Sequence, residues 1–246
     1  MTRARWILGT VLALAGCGDT GQRRIEFPIS VAGREAAPVV VGDYEVVVEE
    51  ARLAFGPVYL CATAIAGVES CNEAIAEHLG TTSFDALSAE PVAMGQMQAL
   101  AGTTVLSGMW DYGRGWRLSE TAPRPSANAV DGARSAVLVL RATRDGATRR
   151  YRMALDVDGG TQPSGSTAAR ARLPEHLLTS NEAGLTVRFD PTLWASMIDY
   201  VALDALPPPT PADAALDVPA DHPARAAVIA AMTATGLPTF EWATTD

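Results

Sequence analysis

SAVLVLRATRDGATRRYRMALDV, residues 135–157, decides the fold class. Val137-Leu138-Val139-Leu140 is an unbroken apolar run, the signature of a strand covered on both faces. After Asp145-Gly146 the pattern changes, and Tyr151, Met153, Leu155 and Val157 alternate with Arg152, Ala154 and Asp156. That period of two turns one face to a core and the other to solvent. A tight hairpin turn needs positive φ at both central residues, and Asp-Gly adopts it readily. The stretch therefore predicts an antiparallel hairpin with one strand inside a sheet.

The same period recurs outward from this hairpin. Ile25, Phe27, Ile29 and Val31 alternate with Glu26, Pro28 and Ser30, and Pro28, lacking an N–H, places this strand at a sheet edge. Tyr44, Val46 and Val48 hold even positions, whereas Ala51, Leu53 and Phe55 hold odd ones. A strand cannot change face without an extra residue, so a bulge is expected near Glu49-Glu50. Gly56-Pro57 breaks the chain before a strand at Val58–Cys61. Ser70-Cys71-Asn72-Glu73 fits a capping box and predicts a short helix ending near Gly80, with His78 in its last turn. Thr103–Tyr112 and Leu185–Phe189 read as further strands. Asp190-Pro191 offers an N-cap and first-turn proline, followed by Trp194, Met197, Ile198 and Val201 at helical spacing. A final helix is expected over Pro223–Thr235, capped by Asp221 and ended by Gly236. Together these elements predict a mainly β chain, an antiparallel β-sandwich or barrel with two or three peripheral helices.

The N-terminus, MTRARWILGTVLALAGCGDT, carries Arg3 and Arg5, an apolar stretch from Trp6 to Ala15, and small residues before Cys17. These are the three parts of a secretory signal, and the apolar stretch is too short to span a bilayer. Leu14-Ala15-Gly16-Cys17 resembles the lipobox of bacterial lipoproteins. The resemblance implies cleavage before Cys17, acylation of Cys17, and anchoring in membrane lipid. Several acyl chains hold a protein stably where one does not. In the family's sorting rule, Gly18 after the acylated Cys favours the outer over the inner membrane. The expected organisation is a cleaved signal at 1–16, a lipidated tether at 17–24, and a single β-rich domain at 25–246 with a Pro-rich solvated excursion at 206–223. Export places Cys61 and Cys71 in an oxidising compartment, where a disulfide between them is expected and would stabilise the fold by roughly 3 kcal/mol in the chain-entropy model.

Composition excludes several chemistries. The formal net charge is -9, and removal of Arg3 and Arg5 makes it -11 (-9 minus 2). Such an acidic body repels phosphate backbones, which excludes nucleic acid as a partner. All nineteen basic residues are Arg. Walker A loops, Schiff-base enzymes and S-x-x-K acyl enzymes all need a Lys that the chain does not have. There is no G-x-S-x-G elbow and no HExxH pair. Glu49 and Glu50 are adjacent and, without the bulge, point to opposite faces.

No catalytic residue, cofactor or metal ligand is assigned from sequence. Asp156-Val157-Asp158-Gly159-Gly160 opens like a calcium loop that is not completed. Met94, Met97 and Met109 are thioethers suited to copper(I), though methionine also serves as core filler. Trp110, Tyr112 and Trp116, around the Gly113-Arg114-Gly115 turn, are the candidate contacts for a glycan or peptide partner. The competing reading makes Trp110 and Trp116 core anchors of a hairpin.

Anchor and missing catalytic motifs together point to a non-enzymatic envelope module for binding or structure. A second reading rests on Leu185–Trp194 (LTVRFDPTLW) and Phe240-Glu241-Trp242, which are similar to copper-associated envelope proteins of the methanobactin-partner type. That resemblance implies periplasmic copper handling. A third is a hydrolase whose site is not local in sequence. The anchor is tested directly: Cys17→Ser abolishes fatty-acid labelling and releases the protein from the membrane fraction, and label retained on the variant overturns the assignment.

Overall fold

A computed structural model describes residues 23–65, 74–115, 124–125, 128–132, 134–157, 169–211 and 213–243. In chain order the strands are β1 (Arg24–Ala32), β2 (Val39–Val41), β3 (Tyr44–Phe55), β4 (Val58–Cys61), β5 (Ala76–His78), β6 (Thr82–Asp85), β7 (Val92–Leu100), β8 (Thr104–Trp110), β9 (Arg114–Gly115), β10 (Arg124–Pro125), β11 (Ala136–Arg144), β12 (Ala147–Leu155), β13 (Ala169–Leu177), β14 (Leu185–Arg188), β15 (Leu216–Asp217) and β16 (Thr239–Trp242). Helices α1 (Pro191–Ala195), α2 (Tyr200–Asp204) and α3 (Pro223–Ala230) lie late in the chain, and α3 runs into a π-helical turn at Ala231–Thr235.

The 135–157 hairpin is β11 and β12, paired from Ala136↔Leu155 to Arg144↔Ala147. Asp145 and Gly146 turn it with φ of 51° and 78°. β11 sits inside a six-stranded sheet of order β15-β12-β11-β3-β2, with β6 also on β3. The second sheet has eight strands, β13-β8-β4-β5-β7-β1-β14-β16, and curls into a nearly closed barrel. Its two edge strands are drawn together by the His176 ring of β13, which stacks on Trp242 of β16 with centroids 3.8 Å apart and planes 4° apart. Inward faces of both sheets share one core, in which Phe27, Leu53, Phe55, Leu60, Met97, Leu138, Tyr151 and Phe189 are buried.

The face switch in β3 is the expected bulge. Val48 opposes Leu140 and Glu50 opposes Val139, so Glu49 is the extra residue. Its carboxylate accepts from Arg141 Nε at 3.0 Å and Arg150 Nε at 2.7 Å, holding both strands of the hairpin.

Several expectations are corrected. β1 is an inner strand, between β7 and β14. Pro28 is accommodated because its register with β14 starts only at Ile29, so the missing N–H removes no bond from that ladder. Residues 76–78 form β5, not the end of a helix, because their amides pair with β4 and β7; the capping box at 70–73 lies outside the described residues. The helical pattern after Asp190 divides into α1 and α2, which buries Trp194 and Ile198 and leaves Met197 and Val201 exposed. The cap of α3 is His222, whose Nδ1 accepts from the Ala224 N–H at 3.2 Å, and not Asp221. The 206–223 segment is not wholly solvated, since Leu216–Asp217 pairs with β12 and Val218 is buried.

Asp204, at the end of α2, fastens the helices to the sheet. It accepts from Tyr44 at 2.7 Å and Tyr151 at 2.6 Å, and ion-pairs with Arg144 at 3.1 Å and Arg149 at 3.6 Å. Burial alone would raise its pKa, but the two phenol hydrogen bonds and the two guanidinium charges hold it below the usual aspartate value. Burial, reinforced by the Asp204 hydrogen bond, raises both phenols. A depressed carboxyl contributes stability that is complete above its unfolded pKa and lost as pH falls through the folded one. Asp204→Asn therefore destabilises the fold by about 2 kcal/mol at pH 7, and the difference from the parent shrinks as melting is repeated in acid below about pH 4.

Candidate functional site

His78 is the side chain that geometry singles out. β5 places it opposite Val58 of β4, on the inward face, where it is 9% exposed. Its Nδ1 lies 2.9 Å from the Gln96 carbonyl oxygen on β7. A carbonyl only accepts, so Nδ1 carries the proton and the lone pair is left on Nε2. Nε2 is buried and without a hydrogen-bond partner. A buried nitrogen left unpaired costs on the order of 1–3 kcal/mol, so such an atom calls for an explanation.

Glycines make the space around it. A Cβ on Gly80 would stand 2.8 Å from Nε2, and one on Gly95 would stand 3.4 Å from Cε1. Gly56, with φ of 103°, abuts the Gly80 carbonyl so closely that a Cβ there would lie 2.3 Å from it. The Met94 methyl flanks the same contact, 3.2 Å from that Gly56 position. A cavity of about 140 Å³ is lined by Glu77, His78, Leu79, Gln96 and Gln98. This is below the roughly 300 Å³ at which drug-sized ligand pockets begin. It suits an ion with one or two waters rather than a sugar or a peptide.

Other candidates do not assemble. Trp110 and Tyr112 are fully buried, so neither offers a face to a ligand. Trp110 packs on Phe240 at 5.4 Å, and the Tyr112 hydroxyl donates to the Met232 carbonyl. Both are core anchors, and the glycan or peptide platform is withdrawn for them. Trp116 lies outside the described residues, as do Cys17 and Cys71. Cys61 is buried at the end of β4, packed on Met109. Met97 is in the main core, whereas Met109 belongs to the Cys61 cluster, so the three methionines do not converge. Asp156 is ion-paired with Arg114 and Arg134. His176 Nε2 lies 3.2 Å from Glu182, and His222 caps α3. Among the described residues no three His, Cys, Asp or Glu side chains form a metal-binding group.

His78 could not be singled out in the sequence. It stands between Glu77 and Leu79 with no second His nearby, and its hydrogen-bond partner Gln96 is eighteen residues away. The LTVRFDPTLW and FEW stretches do meet: β14 pairs with β16, Leu185 opposite Trp242 and Val187 opposite Phe240.

No family model matches the chain, and no curated protein matches it. Among solved structures it is similar to MbnP from Methylosinus trichosporium, at 13% identity and a TM-score of 0.37, over 72% of this chain and 79% of that one. The likeness is faint, and neither fold nor function is inferred from it.

The anchor role of Trp110 is measurable. Trp110→Ala lowers unfolding stability by about 3–5 kcal/mol, the usual cost of emptying a buried indole site. A melting curve equal to the parent's overturns that role.

Proposed function

We propose that the protein is a non-enzymatic binding module of the bacterial envelope, held to a membrane through acylated Cys17 and braced by a Cys61–Cys71 disulfide. We further propose that its ligand is a copper(I) ion taken up beside His78. The observation that carries this reading is the His78 imidazole, with Nδ1–H fixed on a backbone carbonyl and Nε2 bare in a glycine-lined niche. A histidine oriented by a hydrogen bond from its other nitrogen is the usual form of a metal-ligating imidazole.

The donor chemistry favours a soft, low-coordinate ion. Zinc and calcium sites draw on several nitrogen, thiolate or carboxylate donors, and no such group gathers among the described residues. Copper(I) is selected by thioether donors and accepts imidazole. Met94 flanks the Gly56–Gly80 contact that borders the niche. The similarity of LTVRFDPTLW and FEW to copper-associated envelope proteins agrees with this choice of metal.

Copper(I) competition against a chromogenic chelator tests the reading under reducing conditions. The full mature chain takes up one equivalent. His78→Gln abolishes uptake, and Gly80→Ala weakens it by about tenfold, because the added methyl crowds Nε2. Uptake by His78→Gln equal to the parent's overturns the assignment.

A further inference from the structure

A cavity of about 320 Å³ lies against β1, β7 and β5, three adjacent strands of the barrel-like sheet. Across β1 and β7, Arg24 opposes Leu100 and Glu26 opposes Gln98. From the other side of β7, Glu77 of β5 opposes Gln98, and the Leu100 N–H donates to the Ile75 carbonyl at 2.9 Å. Side chains alternate between the faces of a strand, and the neighbours Ile25, Phe27, Ala76, Met97 and Ala99 are the buried ones. Arg24, Glu26, Gln98 and Glu77 therefore share the outward face. Two rows of residues border the cavity, Arg24, Leu100 and Ile75 in one and Glu26, Gln98 and Glu77 in the next.

The polar groups of this face are unspent. Elsewhere on the sheets Arg141 and Arg150 pair with Glu49, Arg152 with Asp217, and Arg188 with Glu241. The side chains of Arg24, Glu26, Glu77 and Gln98 make no hydrogen bond or ion pair among the described residues. Opposite charges thus stand at one cavity without meeting one another. Its volume is above the roughly 300 Å³ at which small-molecule sites begin, and such sites join apolar walls to a few convergent polar groups.

The arrangement of charge restricts the ligand. One guanidinium and two carboxylates leave the site at -1 (1 minus 2), so a complementary ligand carries +1. Glu26 and Glu77 repel a simple anion, and Arg24 opposes a diamine that has no anionic group. Arg24 and Glu26 are two residues apart on one face of β1, roughly 7 Å, so a carboxylate and an ammonium on the same carbon can meet both. Glu77 stands two strand spacings from Glu26, roughly 10 Å, with Gln98 between them. We propose that this face binds a free basic amino acid, with its carboxylate on Arg24, its α-ammonium on Glu26 and its side-chain cation on Glu77. The methylene chain between the two cations runs beside Leu100 and Ile75, where apolar contact is available to it. Glu77 and Gln98 also line the cavity at His78, but neither the copper nor the Cys17 anchor takes part in this site.

Titration calorimetry of the full mature chain tests the site, with L-lysine as the probe. One equivalent binds, and more weakly as salt is raised. Norleucine has the same chain without the terminal ammonium, and cadaverine lacks the carboxylate. Each binds about tenfold more weakly than lysine, the scale of one charge-assisted hydrogen bond. Glu77→Gln removes the preference for lysine over norleucine and keeps that over cadaverine. Arg24→Gln does the reverse, and both variants melt with the parent. Absence of lysine binding, equal binding of the three compounds by the parent, or variants that keep the parent's preferences overturns the proposal.

Discussion

The contact between Gly56 and Gly80 is the constraint around which the molecule is arranged. At Gly56 the chain leaves the six-stranded sheet through β3 and enters the barrel-like sheet through β4. A φ of 103° is readily available only to glycine, and the Gly80 carbonyl sits where any side chain would begin. With glycine at position 56 the two backbones touch at the point where the chain passes from β3 to β4.

Around that crossing, polar groups are used to tie elements that apolar packing alone would leave free to slide. Glu49, extruded by the β3 bulge, spans Arg141 and Arg150 of the central hairpin. Asp204 gathers two phenols and two guanidinium groups and so fastens α2 to the sheet. Neither carboxylate is buried without partners, which keeps the desolvation cost of each small. The barrel seam closes differently, with an imidazole stacked on an indole where the edge strands β13 and β16 meet.

His78 departs from this pattern of satisfied groups. Its Nδ1 is spoken for and its Nε2 is not, and among the described residues the Trp110 and Trp242 indole nitrogens are left likewise. Three large apolar side chains near α1 and α2 are the counterpart of that departure. Leu193, Met197 and Val201 have the composition of core and the exposure of surface. Local departures from otherwise consistent folding rules are where function is expected to reside.

Period alone marked the strands of the central hairpin and several others. The 135–157 hairpin, the face switch at Glu49, the β14 strand and the Asp190-Pro191 helix start were all legible, because each depends on neighbours within a few residues. Tertiary structure alone decided that β1 is an inner strand. Pro28 reads as an edge residue until the offset start of the β14 ladder is known. Residues 76–78 read as helix until β4 and β7 claim their amides. Trp110 and Tyr112 lie beside a Gly-rich turn that would suit an exposed platform, yet the closing sheets bury them. The His78 site was the least legible of all. Its carbonyl partner on Gln96 and the neighbouring Gly95 come from β7, and only the pairing of β5 with β7 brings them to the ring.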